Sequence, residues 1–182
     1  MSNIEYEAKI LNIDPSVIKQ KLRQLKATKI GEYNFRRYVF DTIPVTPNRW
    51  VRLRSDGQNV TLTVKQIDSD SIDGTSEWET EVGDIDQALI ILEKIGIKPR
   101  GYQKNKRLEY RLHGVQVTID LWPKLAPYVE IEGANKAEVV ATARILGYSE
   151  QDLVAKNTAD LYQEIGIDLK QVAELTFDEQ SA

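Results

Sequence analysis

The chain has 182 residues, a length typical of one domain or of one domain with a short appendage. It contains no cysteine and one histidine, His113, which excludes a disulfide, a thiolate zinc site, a cysteine nucleophile and a multi-histidine metal site. Because 28 acidic residues outnumber 24 lysines and arginines, we expect no surface dedicated to nucleic acid or to an anionic membrane. No apolar run approaches the ~20 residues that cross a bilayer, and the first residues lack a signal-peptide pattern, so we expect a cytoplasmic protein.

The first half of the chain is dominated by strand patterns. Apolar and charged residues alternate over 4–10, which predicts a strand. Asp14 followed by Pro15 predicts the start of a helix, because Asp is a common N-cap and Pro is favoured in the first turn. Alternating segments then predict four more strands, near 38–40, 50–54, 60–65 and 77–82, and Asp56-Gly57 is a hairpin turn signal.

The second half begins with a helix that Asp84 would cap. Apolar residues at helical spacing form its stripe: Ala88, Ile91, Leu92 and Ile95. Strands are predicted over 104–111, 115–120 and 129–132, with a tight turn at His113-Gly114. Asn135 would cap a third helix that ends at Gly147, and a short fourth helix covers about 158–165. Eight strands with hairpin-like connections and four helices predict an α+β fold with antiparallel pairing.

The polar faces of the strands are segregated by charge. One group is basic, with Arg52, Arg54 and Lys65, whereas the strands near 77–82 and 129–132 carry glutamates. These faces could simply be solvated, because an antiparallel sheet commonly shows one face to water. Alternatively, the strands close into a barrel whose alternate residues line a cavity while helices cover the outer apolar face. Like charges two residues apart repel, so segregation by strand favours the barrel.

Such a cavity would have a defined chemistry. Carboxylates without Cys or His form a hard-oxygen site that suits Mg²⁺ or Mn²⁺. Arginine and lysine suit phosphate oxygens, which arginine can bind with two parallel hydrogen bonds. The two sets together are typical of a phosphoryl-transfer site that binds a polyphosphate.

Several segments, taken in order, resemble the CYTH or triphosphate tunnel metalloenzyme superfamily. The first is Glu5-Tyr6-Glu7-Ala8-Lys9, which matches the ExExK signature of that superfamily. The others follow in order along the chain: Arg52-x-Arg54, Lys65, Glu79-x-Glu81, a basic cluster near Arg107, Asp120 and Glu130-x-Glu132. The resemblance covers about Ile4 to Ile165. It implies an eight-stranded antiparallel β-barrel, or tunnel, with helices packed on the outside.

The resemblance also implies the site residues. The metal-side carboxylates would be Glu5, Glu7, Asp120, Glu130 and Glu132. Opposite them, Glu79 and Glu81 would hold a second metal or order basic residues and water. The triphosphate would be bound by Lys9, Arg52, Arg54, Lys65 and Arg107. From these sets we expect a catalytic group of Glu5, Glu7, Lys9 and Glu132.

The sequence departs from the superfamily pattern at two places. Members commonly carry Lys-x-Arg in the strand before Asp120, and this chain has Asn105 beside Arg107 in simple register. Either Asn105 replaces a phosphate ligand, or a bulge turns the flanking Lys104 and Lys106 towards the triphosphate. Near the C-terminus, Lys156 either reaches the tunnel mouth as a further phosphate ligand or is solvated.

The residues and the resemblance together predict a divalent-metal-dependent triphosphatase. Its substrate would be tripolyphosphate, thiamine triphosphate or a nucleoside triphosphate, and its cofactor Mg²⁺ or Mn²⁺. The alternatives are a class IV-type adenylyl cyclase, which makes cyclic AMP and pyrophosphate from ATP, and a non-catalytic module that binds polyphosphate or nucleotide. We expect a tunnel domain over 1–166, an acidic tail over 167–182, no nucleic-acid or membrane partner, and a monomer or homodimer.

Overall fold

The computed structural model describes residues 4–178; the predictions that fall on residues 1–3 and 179–182 lie outside this range. The strands are β1 (Ile4–Ile10), β2 (Thr28–Asp41), β3 (Arg49–Ser55), β4 (Val60–Ile67), β5 (Thr75–Val82), β6 (Gly101–Leu112), β7 (Val115–Trp122), β8 (Leu125–Gly133) and β9 (Glu174–Leu175). The helices are α1 (Pro15–Gln24), α2 (Ile85–Lys94), α3 (Lys136–Leu146) and α4 (Thr158–Glu164), and one 3₁₀ turn covers Glu150–Asp152.

Strands β1 to β8 form a closed antiparallel barrel. Their order around it is β2-β3-β4-β5-β1-β8-β7-β6, and β6 pairs back with β2 through a long antiparallel ladder. Since successive side chains of a strand point to opposite faces, every second residue points into the barrel. The predicted fold, an eight-stranded antiparallel barrel with helices outside, is therefore confirmed.

The local signals at the helix ends are also confirmed. Asp14, Asp84 and Asn135 each accept a hydrogen bond from a backbone N–H in the first turn of the helix that follows. This contact satisfies one of the N–H groups that have no partner within the helix. Helix α3 ends at Gly147, where φ is 100°, a left-handed conformation that glycine adopts without strain. The turn at His113-Gly114 joins β6 to β7.

The outer surface of β1, β7 and β8 carries the main apolar core beneath α1 and α3. Ile18 and Leu22 of α1 and Val139 and Ala143 of α3 are buried in this cluster. The strands contribute their outward-facing residues, among them Ala8, Ile10, Val117, Ile119 and Ile131. Burying each large aliphatic side chain stabilises the fold by roughly 1.5–3 kcal/mol. Covering the barrel therefore leaves the inward positions free for polar residues.

Helix α2 covers a second apolar cluster, on β2, β3 and β4, and corrects one prediction. Ile91 and Ile95, expected on its buried stripe, are 61% and 66% exposed. The face that packs on the barrel is formed by Ile85, Ala88, Leu89 and Leu92. The predicted stripe spanned two adjacent helical faces, and only the contact with Phe40 and Leu53 determines which one is buried.

Residues 167–178 run across the barrel beyond the end of β7. Strand β9 pairs in parallel with Tyr102 and Gln103 of β6, at positions that β7 does not reach. Leu175 is buried in a third apolar cluster with Trp122 and Tyr162. This part of the expected acidic tail thus contacts the barrel. None of the helices within residues 4–178 is long and apolar enough to span a membrane.

Candidate active site

The barrel encloses a cavity of about 480 Å³. Inward-facing residues of all eight barrel strands line it, and it is completed by residues 157–160 and by Leu169 and Lys170. The lining separates into two halves. Glutamates predominate on β1, β5 and β8, and arginines on β2, β3 and β6.

Strands β1 and β8 place three glutamates around a buried lysine. Glu7 lies directly opposite Glu132, and Lys9 directly opposite Glu130. The Nζ of Lys9 is 3.0 Å from Glu130 Oε2 and 3.4 Å from Glu7 Oε1. Burial alone would lower the pKa of the Lys9 ammonium, but Glu7 and Glu130 outweigh burial and raise it. Lys9 therefore remains a cation in the interior.

A second lysine joins β4 to β1 and β5. The Nζ of Lys65 is 2.8 Å from Glu5 Oε2 and 2.5 Å from Glu77 Oε2. Burial raises the pKa of Glu5 to about 8 despite Lys65, and the neighbouring Glu7 and Glu77 add to the rise. At Glu77 the balance is reversed, because Lys65 and Arg52 outweigh burial and lower its pKa to about 2.

Glu132 differs from the other glutamates that line the cavity. Its nearest hydrogen-bond donor is Gln116 Nε2 at 3.5 Å, and it has no ion pair within residues 4–178. Burial raises the pKa of Glu132, and Glu130 and Glu7 raise it further. This carboxylate is therefore available to an added cation or to water.

The basic half of the cavity is built on β3 and β6. The Nη2 of Arg52 lies 3.2 Å from Glu77 Oε1 and 3.1 Å from Glu79 Oε2. Arg54 extends from the next inward position, 3.7 Å from Glu79, and burial together with Arg52 and Arg107 lowers its pKa to about 9. Arg107 donates through Nη2 to Glu130 Oε1 at 2.9 Å. The three arginines thus pair with carboxylates of the barrel and line the cavity.

Asp120 does not line the cavity, although it was expected on the metal side. It is completely buried and accepts hydrogen bonds from Arg107 Nε at 2.9 Å, Thr118 Oγ1 at 2.7 Å and Asn105 Nδ2 at 3.3 Å. These three hydrogen bonds involve both carboxylate oxygens of Asp120. Asp120 therefore orients Arg107 from the side away from the cavity and is not one of the candidate metal ligands.

The register of β6 decides between the two alternatives for its basic cluster. Pairing with β2 is regular from Gly101 to Glu109, so no bulge changes the phase near Asn105. Asn105 points inward and is 1% exposed, whereas Lys104 and Lys106 are exposed on the outer surface. Lys104 lies near the ring of Tyr102, and Lys106 lies near Phe177. The expectation that both lysines contact the triphosphate does not fit this placement, because alternate residues must face opposite sides.

Two other expected site residues also lie outside the cavity lining. Glu81 has an inward phase but sits at the exposed end of β5, one alternation beyond Glu79, which does line the cavity. Lys156 forms an ion pair with Glu164 of α4 on the surface. Of the two alternatives for Lys156, the structure fits the solvated one.

Sequence reasoning missed several residues that line the cavity, chiefly Arg37, Glu77 and Trp50. Alternation could have identified Arg37. Phe35, Arg37 and Val39 share one face of β2, and Phe40 lies on the opposite, outward face. Glu77 shares the face of Glu79 and Glu81, so alternation alone would have included it. Trp50 has the same inward phase as Arg52, and it lies at the start of β3.

The chemistry of the carboxylates fits a divalent metal ion. Within residues 4–178 no three Asp, Glu, His or Cys side chains are arranged as a ready-made metal cluster. Lys9 and Lys65 instead occupy the positions between the glutamates. The donor atoms are hard carboxylate oxygens, and burial, with added repulsion from neighbouring glutamates, raises the pKa of Glu5 and Glu132. A divalent cation would relieve that repulsion, and Glu5, Glu7, Glu130 and Glu132 are the residues that could hold it.

Three buried donor atoms on residues that line the cavity have no hydrogen-bond partner in the described part of the chain. They are the Nε atoms of Arg37 and Arg52 and the Nε1 of Trp122. Buried donors in folded proteins are nearly always satisfied by protein or by bound molecules. An acceptor-rich ligand in the cavity would satisfy them only if these side chains turned towards it, because the three atoms have almost no accessible surface.

The structure is thus a closed barrel whose cavity is acidic on one side and basic on the other. The CYTH domain model matches residues 3–157, so the chain belongs to the CYTH domain family. A search of curated proteins found no significant match.

Solved structures share the fold. The PH1012 protein of Pyrococcus horikoshii is similar to this chain with 25% identity and a TM-score of 0.74, covering 86% of this chain and 98% of its own. A conserved hypothetical protein of Pyrococcus furiosus has 23% identity, a TM-score of 0.74, and coverage of 86% and 99%. HpAC1 of Hippeastrum, a proposed adenylyl cyclase with a dominant triphosphatase activity, has 16% identity, a TM-score of 0.59, and coverage of 92% and 99%. At these identities the similarity shows a common fold.

Proposed function

We propose that the protein hydrolyses a triphosphate inside the tunnel with the help of Mg²⁺ or Mn²⁺. The observation that carries the proposal is the opposition, within one cavity, of buried guanidinium and ammonium groups to a group of glutamates. Guanidinium and ammonium groups bind phosphate oxygens, and carboxylates bind hard divalent cations. The candidate substrates are tripolyphosphate, thiamine triphosphate and nucleoside triphosphates.

The triphosphate binds to the basic half of the tunnel and to the two lysines. Its ligands are Lys9, Arg52, Arg54, Lys65 and Arg107, all of which line the cavity. Each of these cations forms an ion pair with a glutamate that lines the same cavity.

Glu5, Glu7, Glu130 and Glu132 hold the metal ion. When bound, the ion polarises phosphoryl oxygens and offsets the negative charge of the substrate. Glu132, which has no ion pair within residues 4–178, is the carboxylate best placed to orient water as well. Glu79 has a different role in this proposal, since it lies between Arg52 and Arg54 and fixes both of them.

Hydrolysis requires water to attack a phosphorus atom in line with the leaving oxygen while the growing charge is stabilised. The ammonium of Lys9 lies at the boundary between the two halves, bonded to Glu130 and next to Glu7. It can contact a phosphate oxygen while its glutamate neighbours bind the metal. We therefore assign the catalytic role to Glu5, Glu7, Lys9 and Glu132 together.

The reaction takes place in the cytoplasm in this proposal. The partner that the cavity fits is a small phosphorylated molecule, since charged groups face inward from seven of the eight barrel strands.

A product assay tests the proposal. Purified protein is incubated with tripolyphosphate or with ATP, each with Mg²⁺, Mn²⁺ or EDTA, and orthophosphate, pyrophosphate and cyclic AMP are separated by chromatography. We expect orthophosphate from at least one substrate with either metal and none with EDTA. Formation of cyclic AMP and pyrophosphate from ATP, without orthophosphate, would instead establish a cyclase.

Matched variants connect the activity to the tunnel. Glu132→Gln removes the charge of the carboxylate that has no ion pair, and we expect the turnover to fall by at least 100-fold. Glu93→Gln makes the same chemical change at an exposed position of α2 and should leave the turnover unchanged. Equal activity of the wild type and Glu132→Gln would contradict the assigned role.

A further inference from the structure

Arg37 of β2 is a buried cation without a counter-ion. Only 8% of its surface is exposed, and it forms no ion pair within residues 4–178. Arg52 and Arg107, which face the same cavity, each bond two carboxylates. An unbalanced charge in the interior is costly, so a residue of this kind is expected to meet an anion during function.

The Nε edge of Arg37 is buried and has no hydrogen-bond partner within residues 4–178. Its Nη2 donates to Asn105 Oδ1, and its Cζ lies 4.6 Å from the centre of the Trp122 ring. Its Nε has no hydrogen-bond partner, and neither does the Nε1 of Trp122. Both residues line the cavity. A cation in this position is suited to an anionic ligand in the cavity.

The neighbouring charges point to the same kind of ligand. Burial lowers the pKa of the Arg37 guanidinium, and Arg52, Arg54 and Arg107 lower it further. Four arginines that repel one another across a tunnel are stabilised together by a polyanion. A single carboxylate would balance only one of them.

The position of Arg37 is related to the departure from the superfamily pattern at Asn105. Asn105 stands in β6 where the superfamily commonly carries lysine, two residues before Arg107. In the β2–β6 ladder Phe35 lies opposite Asn105, and Arg37 lies one alternation further along the same inward face. Asn105 then binds Arg37 and also donates to Asp120, which connects the two guanidiniums of Arg37 and Arg107 through one network.

We propose that Arg37 is a substrate-binding residue that supplies from β2 the phosphate-binding charge that Asn105 does not supply from β6. The proposal rests on the proposed function, because the ligand is a phosphate group of the same triphosphate. The guanidinium of Arg37 binds that phosphate, and Asn105 holds the guanidinium in place.

Calorimetric titration with tripolyphosphate tests this assignment. Loss of a charged hydrogen bond costs about 1.5–3 kcal/mol, so Arg37→Gln should raise the Kd about 10- to 100-fold. Arg37→Met, whose apolar stem still packs on Trp122, is measured in parallel and should show the same loss. Arg36→Gln is the matched control, since Arg36 is the neighbouring residue, faces outward and lies 3.6 Å from Asp86; its Kd should not change.

A second substitution separates binding from a purely structural role. Adding Asn105→Lys to Arg37→Gln returns a cation to the same region from β6 and should recover most of the lost affinity. A structural Arg37 would instead lower the melting temperature, leave the Kd unchanged and gain nothing from lysine at position 105.

The outcomes distinguish failure of the Arg37 assignment from failure of the proposed function. Tight binding to the wild type with an unchanged Kd in both Arg37 variants would overturn the assignment of Arg37 alone, as would a loss that Asn105→Lys does not repair. If the wild type bound no tripolyphosphate, the proposed function would fail, and the role of Arg37 with it.

Discussion

Arg107→Met tests how the tunnel balances its buried carboxylates. Arg107 donates to Asp120 and to Glu130, each at 2.9 Å, and Asp120 has no exposed surface. Removing one partner of a buried ion pair leaves an uncompensated charge, which typically costs about 3–5 kcal/mol. We expect Arg107→Met to lower the free energy of unfolding by about this amount at neutral pH, measured by urea denaturation.

The double variant examines the cause of that loss. Adding Asp120→Asn to Arg107→Met removes the carboxylate that lost its partner, so part of the free energy of unfolding should return. Arg111→Met is the control, because Arg111 is exposed on the same strand and lies 3.8 Å from Glu109; such surface pairs contribute about 0–1 kcal/mol. A cost below about 1 kcal/mol for Arg107→Met, or no recovery in the double variant, would refute the supporting role given to Asp120.

Three further changes have defined outcomes. Lys65→Met removes the cation that joins Glu5 to Glu77 and should raise the KM for the triphosphate about 10- to 100-fold, whereas Lys94→Met, on the exposed side of α2, should not change it. Leu53→Ala creates a cavity beneath α2 and should lower the free energy of unfolding by about 2–5 kcal/mol, with smaller values indicating that α2 does not pack there. Asp56 accepts hydrogen bonds from the backbone N–H groups of Gln58 and Asn59, which outweigh burial and lower its pKa. The stabilisation from this carboxylate is therefore complete above the pKa of the unfolded chain, about 3.9, and is lost as the pH falls through the folded value. Asp56→Asn, which keeps the oxygen but not the charge, should remove this pH dependence, and an identical pH profile of unfolding for both proteins would contradict it.

Much of the fold could be predicted from the sequence because strands and helices have different periods. Period-two alternation located the barrel strands, and Asp14, Asp84 and Asn135 located helix starts, since capping depends on residues close in the chain. The buried face of α2 could not be predicted, because apolar residues on two faces offered two solutions. Contact with Phe40 and Leu53, which are distant in sequence, selected one of them.

The candidate site, like the fold, could be predicted only in part from the sequence. Alternation and the family motifs identify the inward charges of β1, β3 and β8, such as Glu7, Arg52 and Glu130, and the structure brings these into one cavity. Sequence alone cannot tell an inward residue that lines the cavity from one hidden behind another. Asp120 and Arg107 share a ladder position, yet only the arginine reaches the cavity. The same limit applies to Arg37, because the sequence does not show that this arginine is buried and forms no ion pair within residues 4–178.

The most direct measurement of the central claim is diffraction from crystals grown with Mn²⁺ and a non-hydrolysable imido analogue of tripolyphosphate. The anomalous signal of manganese locates the metal independently of the phosphates. We predict manganese bound to oxygens of Glu5, Glu7, Glu130 or Glu132, and phosphates in contact with Arg52, Arg54 and Lys65. Phosphates bound outside the barrel, or manganese without a carboxylate from β1 or β8, would contradict a tunnel whose two charged halves hold metal and triphosphate together.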